Sequence, residues 1–188
     1  MTAKKKLRVA VLMGGWSAER EVSLVSGAAI CKALDELGHH AMPIDVQRDL
    51  PGLVQALTMH AEGKPDIVFN ALHGRGGEDG CMQGVLEYMG IPYTHSGVRA
   101  SAVAMDKPTT KQLVMAAGVR CAKGRVVTRS DILANGYPLP PPFVIKPTNE
   151  GSSVGVRVVR DGGNLGSIEE DSWIYGDEVL IETYIPGH

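Results

Sequence analysis

The chain has 188 residues, 44% of them hydrophobic and 21% charged. At ~150 residues per domain this allows one large domain or two small ones, and the balance excludes a disordered, collagen-like or coiled-coil chain. With 19 basic and 21 acidic residues the net charge is −2, so nothing global favours nucleic acid or an anionic membrane as a partner. Cys31, Cys81 and Cys121 show no metal-binding or redox spacing and read as reduced thiols of a cytosolic protein.

No apolar run approaches the ~18 residues needed to cross a bilayer. Leu7–Met13 follows a basic start, but it is short and ends at Gly14-Gly15, so it reads as a first strand and not as a signal-peptide core. From Arg20 the pattern is helical. Val22, Val25, Ala29, Ile30, Ala33, Leu34 and Leu37 are predicted on one face, with Gly38 as the stop. Ala41–Val46 is a second strand, Leu50–Ala61 a second helix with Leu53, Ala56, Leu57 and His60 in phase, and Asp66–Leu72 a third strand. Met82, Val85, Leu86 and Met89 repeat at helical spacing up to Gly90. A βαβαβα order implies a doubly wound parallel sheet, whose ligands bind at the carboxyl ends of the strands.

After Ser96 the pattern changes. Val98–Met105 and Thr109–Ala117 read as helices, and Cys121–Thr128 reads as a strand. A proline-rich link leads into Phe143–Pro147, a Gly/Ser loop spans Thr148–Ser153, and strands follow at Val154–Val159 and Val179–Ile185, with a polar loop over Asp161–Ser172 between them. Short strands with few helices suggest an α+β module.

Both glycine clusters of the first half follow strand ends. Glu19 and Glu21 come just after Gly14-Gly15, which does not fit G-x-G-x-x-G. Glu21 suits the positive end of a helix, and Glu19 suits either that role or an ammonium ligand. His73-Gly74-Arg75-Gly76-Gly77-Glu78-Asp79-Gly80 offers an imidazole, a guanidinium and two carboxylates on a flexible backbone, either as a solvated turn or as a site. Lys146 ends an apolar strand, and Glu150–Gly155 follows with hydroxyls and backbone N–H groups able to wrap phosphates, although no Walker loop is present. Lys107 is a second candidate phosphate contact. Glu182 lies in an apolar strand and needs a partner, either an arginine or a nucleotide's ribose or amino group.

Gly14–Ser23 and His73–Gly80 together resemble the D-alanine–D-alanine ligase family of the ATP-grasp superfamily. Ser96-Gly97, Met105-Asp106-Lys107, Val144–Pro147, Glu150–Gly155 and Glu178–Glu182 fit the same family in the same order. The resemblance implies an α/β chain: a Rossmann-like domain over residues 1–97 with the first D-alanine site, then the central α+β ATP-grasp lid over residues 98–188. It implies that Glu19 holds the ammonium of the first D-alanine, that Ser152 helps place Glu19, and that His73 lies beside that substrate. It assigns Lys107 and Lys146 to ATP phosphates, and Glu150, Ser152 and Ser153 to the loop over ATP. Glu182, Thr183 and Ile185 fall to the adenine.

Family members run to ~300 residues, about twice the domain prior. The C-terminal lobe, with the ligands for Mg²⁺ or Mn²⁺, the second substrate's site and an arginine for the acylphosphate, is therefore expected outside this chain, and no residue here is assigned to metal. Residues 1–188 on their own are expected to bind ATP poorly and to release no phosphate. The implied reaction is ATP-dependent joining of two D-alanines for peptidoglycan, in the cytoplasm, by a protein with a homodimer as its candidate assembly. A D-alanine–D-lactate ligase, another ATP-grasp carboxylate–amine ligase, and a nucleotide-binding module without chemistry are the alternatives.

Overall fold

Residues 5–59, 63–161 and 175–187 are described in a computed structural model of the chain. It divides into two compact units, Met1–Ala102 and Val103–His188.

In the first unit, strand β1 (Arg8–Gly14) is flanked in parallel by β2 (His40–Val46) and β3 (Ile67–Asn70), in the order β2-β1-β3. Successive side chains of a strand point to opposite faces, and β1 uses both. Ala10 and Leu12 join Met42, Ile44 and Val46 against Leu53 and Leu57 of α2 (Leu50–Thr58) and Met82 and Leu86 of α3 (Cys81–Tyr88). Val9 and Val11 face Ile30, Cys31 and Leu34 of α1 (Arg20–Glu36). The predicted parallel sheet with helices on both faces is therefore present. Its strand β3 is shorter than predicted. Helix α2 ends at Thr58, ahead of the predicted Ala61, and His60 lies outside the described residues.

The predicted inner face of α1 needs correction. Val22, Val25 and Leu37 are exposed at 55%, 72% and 72%, whereas Ser23 and Gly27 are buried. A hydroxyl turns this face inward. The Ser23 Oγ accepts from Gly14 N–H at 2.9 Å and donates to the Ala71 carbonyl at 2.7 Å, tying the helix to the ends of two strands. Gly27 completes the contact, since a Cβ there would lie 2.5 Å from the Cβ of Met13. Gly27→Val is expected to lower stability by about 2 kcal/mol, within the usual cost of overpacking. Chemical denaturation checks this, and an unchanged midpoint would remove Gly27 from the packing argument.

Helix α4 (Val98–Met105) includes Ala102, the last residue of the first unit, and α5 (Lys107–Ala116) follows in the second. Asp106 caps α5 by accepting from Thr109 N–H. An antiparallel sheet follows in the order β4-β7-β5-β6, built from β4 (Gly124–Thr128), β5 (Phe143–Pro147), β6 (Arg157–Val159) and β7 (Glu178–Thr183). Phe143, Ile145, Val159, Val179 and Ile181 form its core with Val127 and Ile132. Ile132 belongs to α6 (Arg129–Asn135), a helix not predicted above. Thr128 and Asp131 form a capping box there, and that spacing is a helix-start signal in the sequence itself. Strand β6 begins three residues later than predicted, because residues 151–156 turn. Beyond Asp161, the predicted polar loop lies outside the described residues. Among the described residues no helix is long and apolar enough to cross a membrane.

Candidate functional site

The first unit gathers its candidate residues at the carboxyl ends of β1 and β3. Gly14 and Gly15, with φ of +82° and +80°, turn the chain out of β1 and bring Ser17 and Glu19 over the end of β3. The Ser17 Oγ donates to the His73 carbonyl at 2.8 Å and accepts from Glu19 N–H at 3.2 Å, so one hydroxyl joins the two candidate segments. Gly74 lies against the carboxylate: a Cβ at this position would be 3.0 Å from Oε2 of Glu19. Glu19 makes no side-chain cap to α1, so its carboxylate is not used to start the helix. The Nε2 of His73 is buried with no hydrogen-bond partner among the described residues. Glu19 and His73 thus belong to segments joined at one strand end. Several other charges of this region are committed. Glu78 accepts from Gly74 N–H at 2.6 Å, Asp79 accepts from Gly76 N–H at 2.8 Å, and Arg20 forms a two-bond pair with Asp45 at 2.7 and 2.8 Å.

In the second unit the alternation of β5 and β7 places the charged candidates. With Phe143 and Ile145 in the core, Lys146 points to the opposite face, as does Glu182 when Val179 and Ile181 point inward. The register pairs Val144 with Glu182 and Lys146 with Leu180, so Lys146 and Glu182 are diagonal neighbours and form an ion pair. The second oxygen of Glu182 is held by Lys111 of α5, which also donates to the Ala122 carbonyl at 2.7 Å. Gly124, opposite Glu182, leaves the room: a Cβ there would come 2.8 Å from the Glu182 Cγ.

Among the described residues, the partners of buried Glu182 are therefore two lysines, and the arginine offered above as one alternative is not among them. Lys111 was not singled out from the sequence. It lies one helical turn after Lys107 on α5, and its link to Glu182 spans 71 residues. Burial alone would push the Glu182 carboxyl up, but Lys111 and Lys146 outweigh it and hold the carboxyl below its ordinary value.

Lys107 joins this cluster to the Gly/Ser loop. Its backbone N–H donates to the Thr148 carbonyl at 3.0 Å, and its ammonium donates to the Glu150 carbonyl. Burial pushes the Lys107 ammonium down, the charge of Lys146 acts in the same direction, and Glu150 and Glu182 oppose them. Ser152 and Ser153 are exposed in the loop, with Ser152 at a φ of +49°. Thr183 and Ile185 are exposed beyond Glu182, where Thr183 N–H donates to the Lys123 carbonyl at 2.8 Å. Ser152 and Glu19 belong to different units. Among the described residues, no group of three or more His, Cys, Asp or Glu side chains is placed to hold a metal ion.

Removing one side of a buried ion pair costs ~3–5 kcal/mol. Both lysines retain some access to water, so Glu182→Leu is expected near the lower end, about 3 kcal/mol. Because the folded-state pKa of Glu182 is lowered, its contribution is full above the ordinary glutamate range and is lost as pH falls through the folded value. Denaturation at neutral and acidic pH checks both points. The wild type should lose its advantage over Glu182→Leu on acidification, and a gap that stays constant with pH would contradict the pairing.

A parallel α/β unit followed by an antiparallel unit is shared with solved structures of ligases. The family described as "D-ala D-ala ligase N-terminus" matches residues 8–55 and 52–96, and that described as "D-ala D-ala ligase C-terminus" matches residues 115–188. A D-alanine–D-alanine ligase of Gluconobacter oxydans is 56% identical over 181 residues, covering 96% of this chain and 58% of the relative. The structure of the Bacillus anthracis D-alanine–D-alanine ligase complexed with ATP aligns with a TM-score of 0.74 at 32% identity, over 98% of this chain and 58% of that one. The VanG D-Ala:D-Ser ligase of Enterococcus faecalis aligns with a TM-score of 0.71 at 29% identity, over 97% and 64%. The chain belongs to the D-alanine–D-alanine ligase family. It spans about 58% of the length of the curated relatives it matches.

Proposed function

We propose that this chain supplies the first-substrate site and the nucleotide site of an ATP-dependent D-alanine–D-alanine ligase acting in the cytoplasm on the way to peptidoglycan. The observation that carries the nucleotide half is the surplus of positive charge at the end of β5. Lys111 and Lys146 pair with one buried carboxylate, Glu182, and Lys107, which feels the charge of Lys146 and Glu182, donates to the Glu150 carbonyl of a loop of hydroxyls and backbone N–H groups. Such surplus suits a polyphosphate, for which lysine acts as a point charge.

In this reading Lys146 and Lys107 contact ATP phosphates, and Glu150, Ser152 and Ser153 close over them. Glu182, Thr183 and Ile185 meet the adenine. Lys111 stays on Glu182 when Lys146 turns to phosphate, so the buried carboxylate keeps a counter-charge. In the residue 1–97 domain, Glu19 holds the ammonium of the first D-alanine, with His73 beside it. A carboxylate oxygen of that substrate attacks the γ-phosphorus and ADP leaves. The amine of the second D-alanine then attacks the carbonyl carbon, loses a proton and expels phosphate. Mg²⁺ or Mn²⁺ would supply charge neutralisation at the phosphates. Among the described residues no group of three or more His, Cys, Asp or Glu side chains is placed to hold it. A homodimer is the assembly this reading carries.

The test is ADP release by the intact protein with ATP and Mg²⁺, with and without D-alanine, followed by mass spectrometry of the product. D-alanine-dependent ADP release with D-alanyl-D-alanine formed is expected. ATP binding with no D-alanine-dependent turnover would favour a nucleotide-binding module. The likeness to a D-Ala:D-Ser ligase makes competition by D-serine and D-lactate for the second position part of the same assay.

A further inference from the structure

Behind the His73–Gly80 loop lies a ring of hydrogen bonds, buried at Gln83 and Asn70 and half-buried at His95, that the proposed mechanism does not use. Gln83 of α3 is fully buried. Its Nε2 donates to the Gly77 carbonyl at 2.9 Å and lies 3.1 Å from Nδ1 of His95. The Nε2 of His95 is 3.0 Å from the Asn70 carbonyl, and the Nδ2 of Asn70 donates to the same Gly77 carbonyl at 2.9 Å.

The chemistry of these atoms fixes the roles. A carbonyl oxygen only accepts, so Nε2 of His95 carries its proton and Nδ1 is left to accept from Gln83. The same rule turns the Gln83 amide so that both N–H bonds are used. Its Oε1 is then buried with no hydrogen-bond partner among the described residues. Packing alone does not call for a buried amide with an orphaned acceptor, since an apolar side chain of the same size would fill the space without that cost. The two donors are what the site uses. Burial pushes the His95 imidazole below its ordinary value, against the opposing charge of Glu78, in keeping with a neutral ring.

The held carbonyl belongs to the loop that carries the candidate site. Gly77 N–H and Glu78 N–H both donate back to the Gly74 carbonyl, at 3.2 and 2.9 Å, and Gly74 is the residue lying against the Glu19 carboxylate. Ser17 fixes the front of this loop through the His73 carbonyl, and Gln83 and Asn70 fix its back through the Gly77 carbonyl.

We propose that Gln83, oriented by the Nε2–H tautomer of His95, is a positioning residue that sets the His73–Gly80 loop for the ammonium-bearing first substrate. The inference rests on the ligase reading above. The decisive variant is Gln83→Met, which keeps the volume, removes both donors and removes the orphaned acceptor. Stability should be unchanged or higher, while the KM for the first D-alanine rises about tenfold and the KM for ATP moves less than about twofold. A purely structural residue would move stability and KM together.

His95→Ala should raise the same KM. His95→Asn, whose Oδ1 can accept from Gln83 in place of the ring nitrogen, should recover most of the loss. In the wild type, ¹⁵N spectra of the imidazole should show a neutral Nε2–H ring at neutral pH. An unchanged D-alanine KM in Gln83→Met, or an Nδ1–H ring, would overturn the inference while leaving the ligase reading intact. A wild-type protein that never uses D-alanine would overturn both.

Discussion

Lys146→Ala is expected to lower kcat/KM for ATP by roughly 10- to 150-fold, the loss of one charge-assisted contact worth ~1.5–3 kcal/mol. The lysine stands on the face of β5 opposite the core, so truncation opens no cavity among Phe143, Ile145 and Val159. Glu182 loses one of its two lysines but keeps Lys111, which limits the structural damage. The effect should therefore appear in nucleotide use far more than in the unfolding midpoint. Steady-state kinetics with ATP varied at saturating D-alanine, beside a melting curve, separates the two. Wild-type ATP kinetics in this variant would remove Lys146 from the phosphate site.

Glu19→Gln is expected to give the complementary result. The amide keeps the shape and loses the charge, so an ammonium bound there loses an ionic hydrogen bond worth ~1.5–3 kcal/mol. The KM for the first D-alanine should rise by roughly tenfold or more, with the ATP KM nearly unchanged. Because the Glu19 side chain does not cap α1, the substitution should leave the helix intact. A rise in the ATP KM with no change for D-alanine would place Glu19 elsewhere in the reaction.

Much of the first unit was legible because its signals are local. The apolar run of β1, the glycines at its end and the Met82–Met89 spacing each predict what they form. Helix α1 misled in its first half: Ile30 and Leu34 of the predicted face do pack on the sheet, but ahead of them the inner face is made by Ser23 and Gly27, a hydroxyl and a hydrogen, while Val22 and Val25 face out. Apolar periodicity does not register a face built from hydrogen bonds and close approach. The short helix α6 carried its signal in Thr128 and Asp131, but no apolar repeat marked it.

The candidate site was legible as residue types at strand ends and not as partnerships. That Glu182 would need a partner follows from its apolar strand. That the partners are Lys111 and Lys146 follows only from sheet register and the approach of α5, which join residues 71 and 36 positions away. The Gln83–His95 ring was silent for the same reason. Gln83 is a polar residue set among Met82, Val85 and Leu86, and only the fold shows which carbonyl it holds.

The claim at the centre of this account is that ATP activates the carboxylate of the first D-alanine. It is tested most directly by giving the intact protein ATP, Mg²⁺ and D-alanine labelled with ¹⁸O in both carboxylate oxygens, then analysing the inorganic phosphate. The attacking oxygen becomes the bridge to phosphorus and leaves with phosphate when the second amine attacks. One ¹⁸O per phosphate released is the predicted result. Product formed with unlabelled phosphate would contradict an acylphosphate and the account built on it.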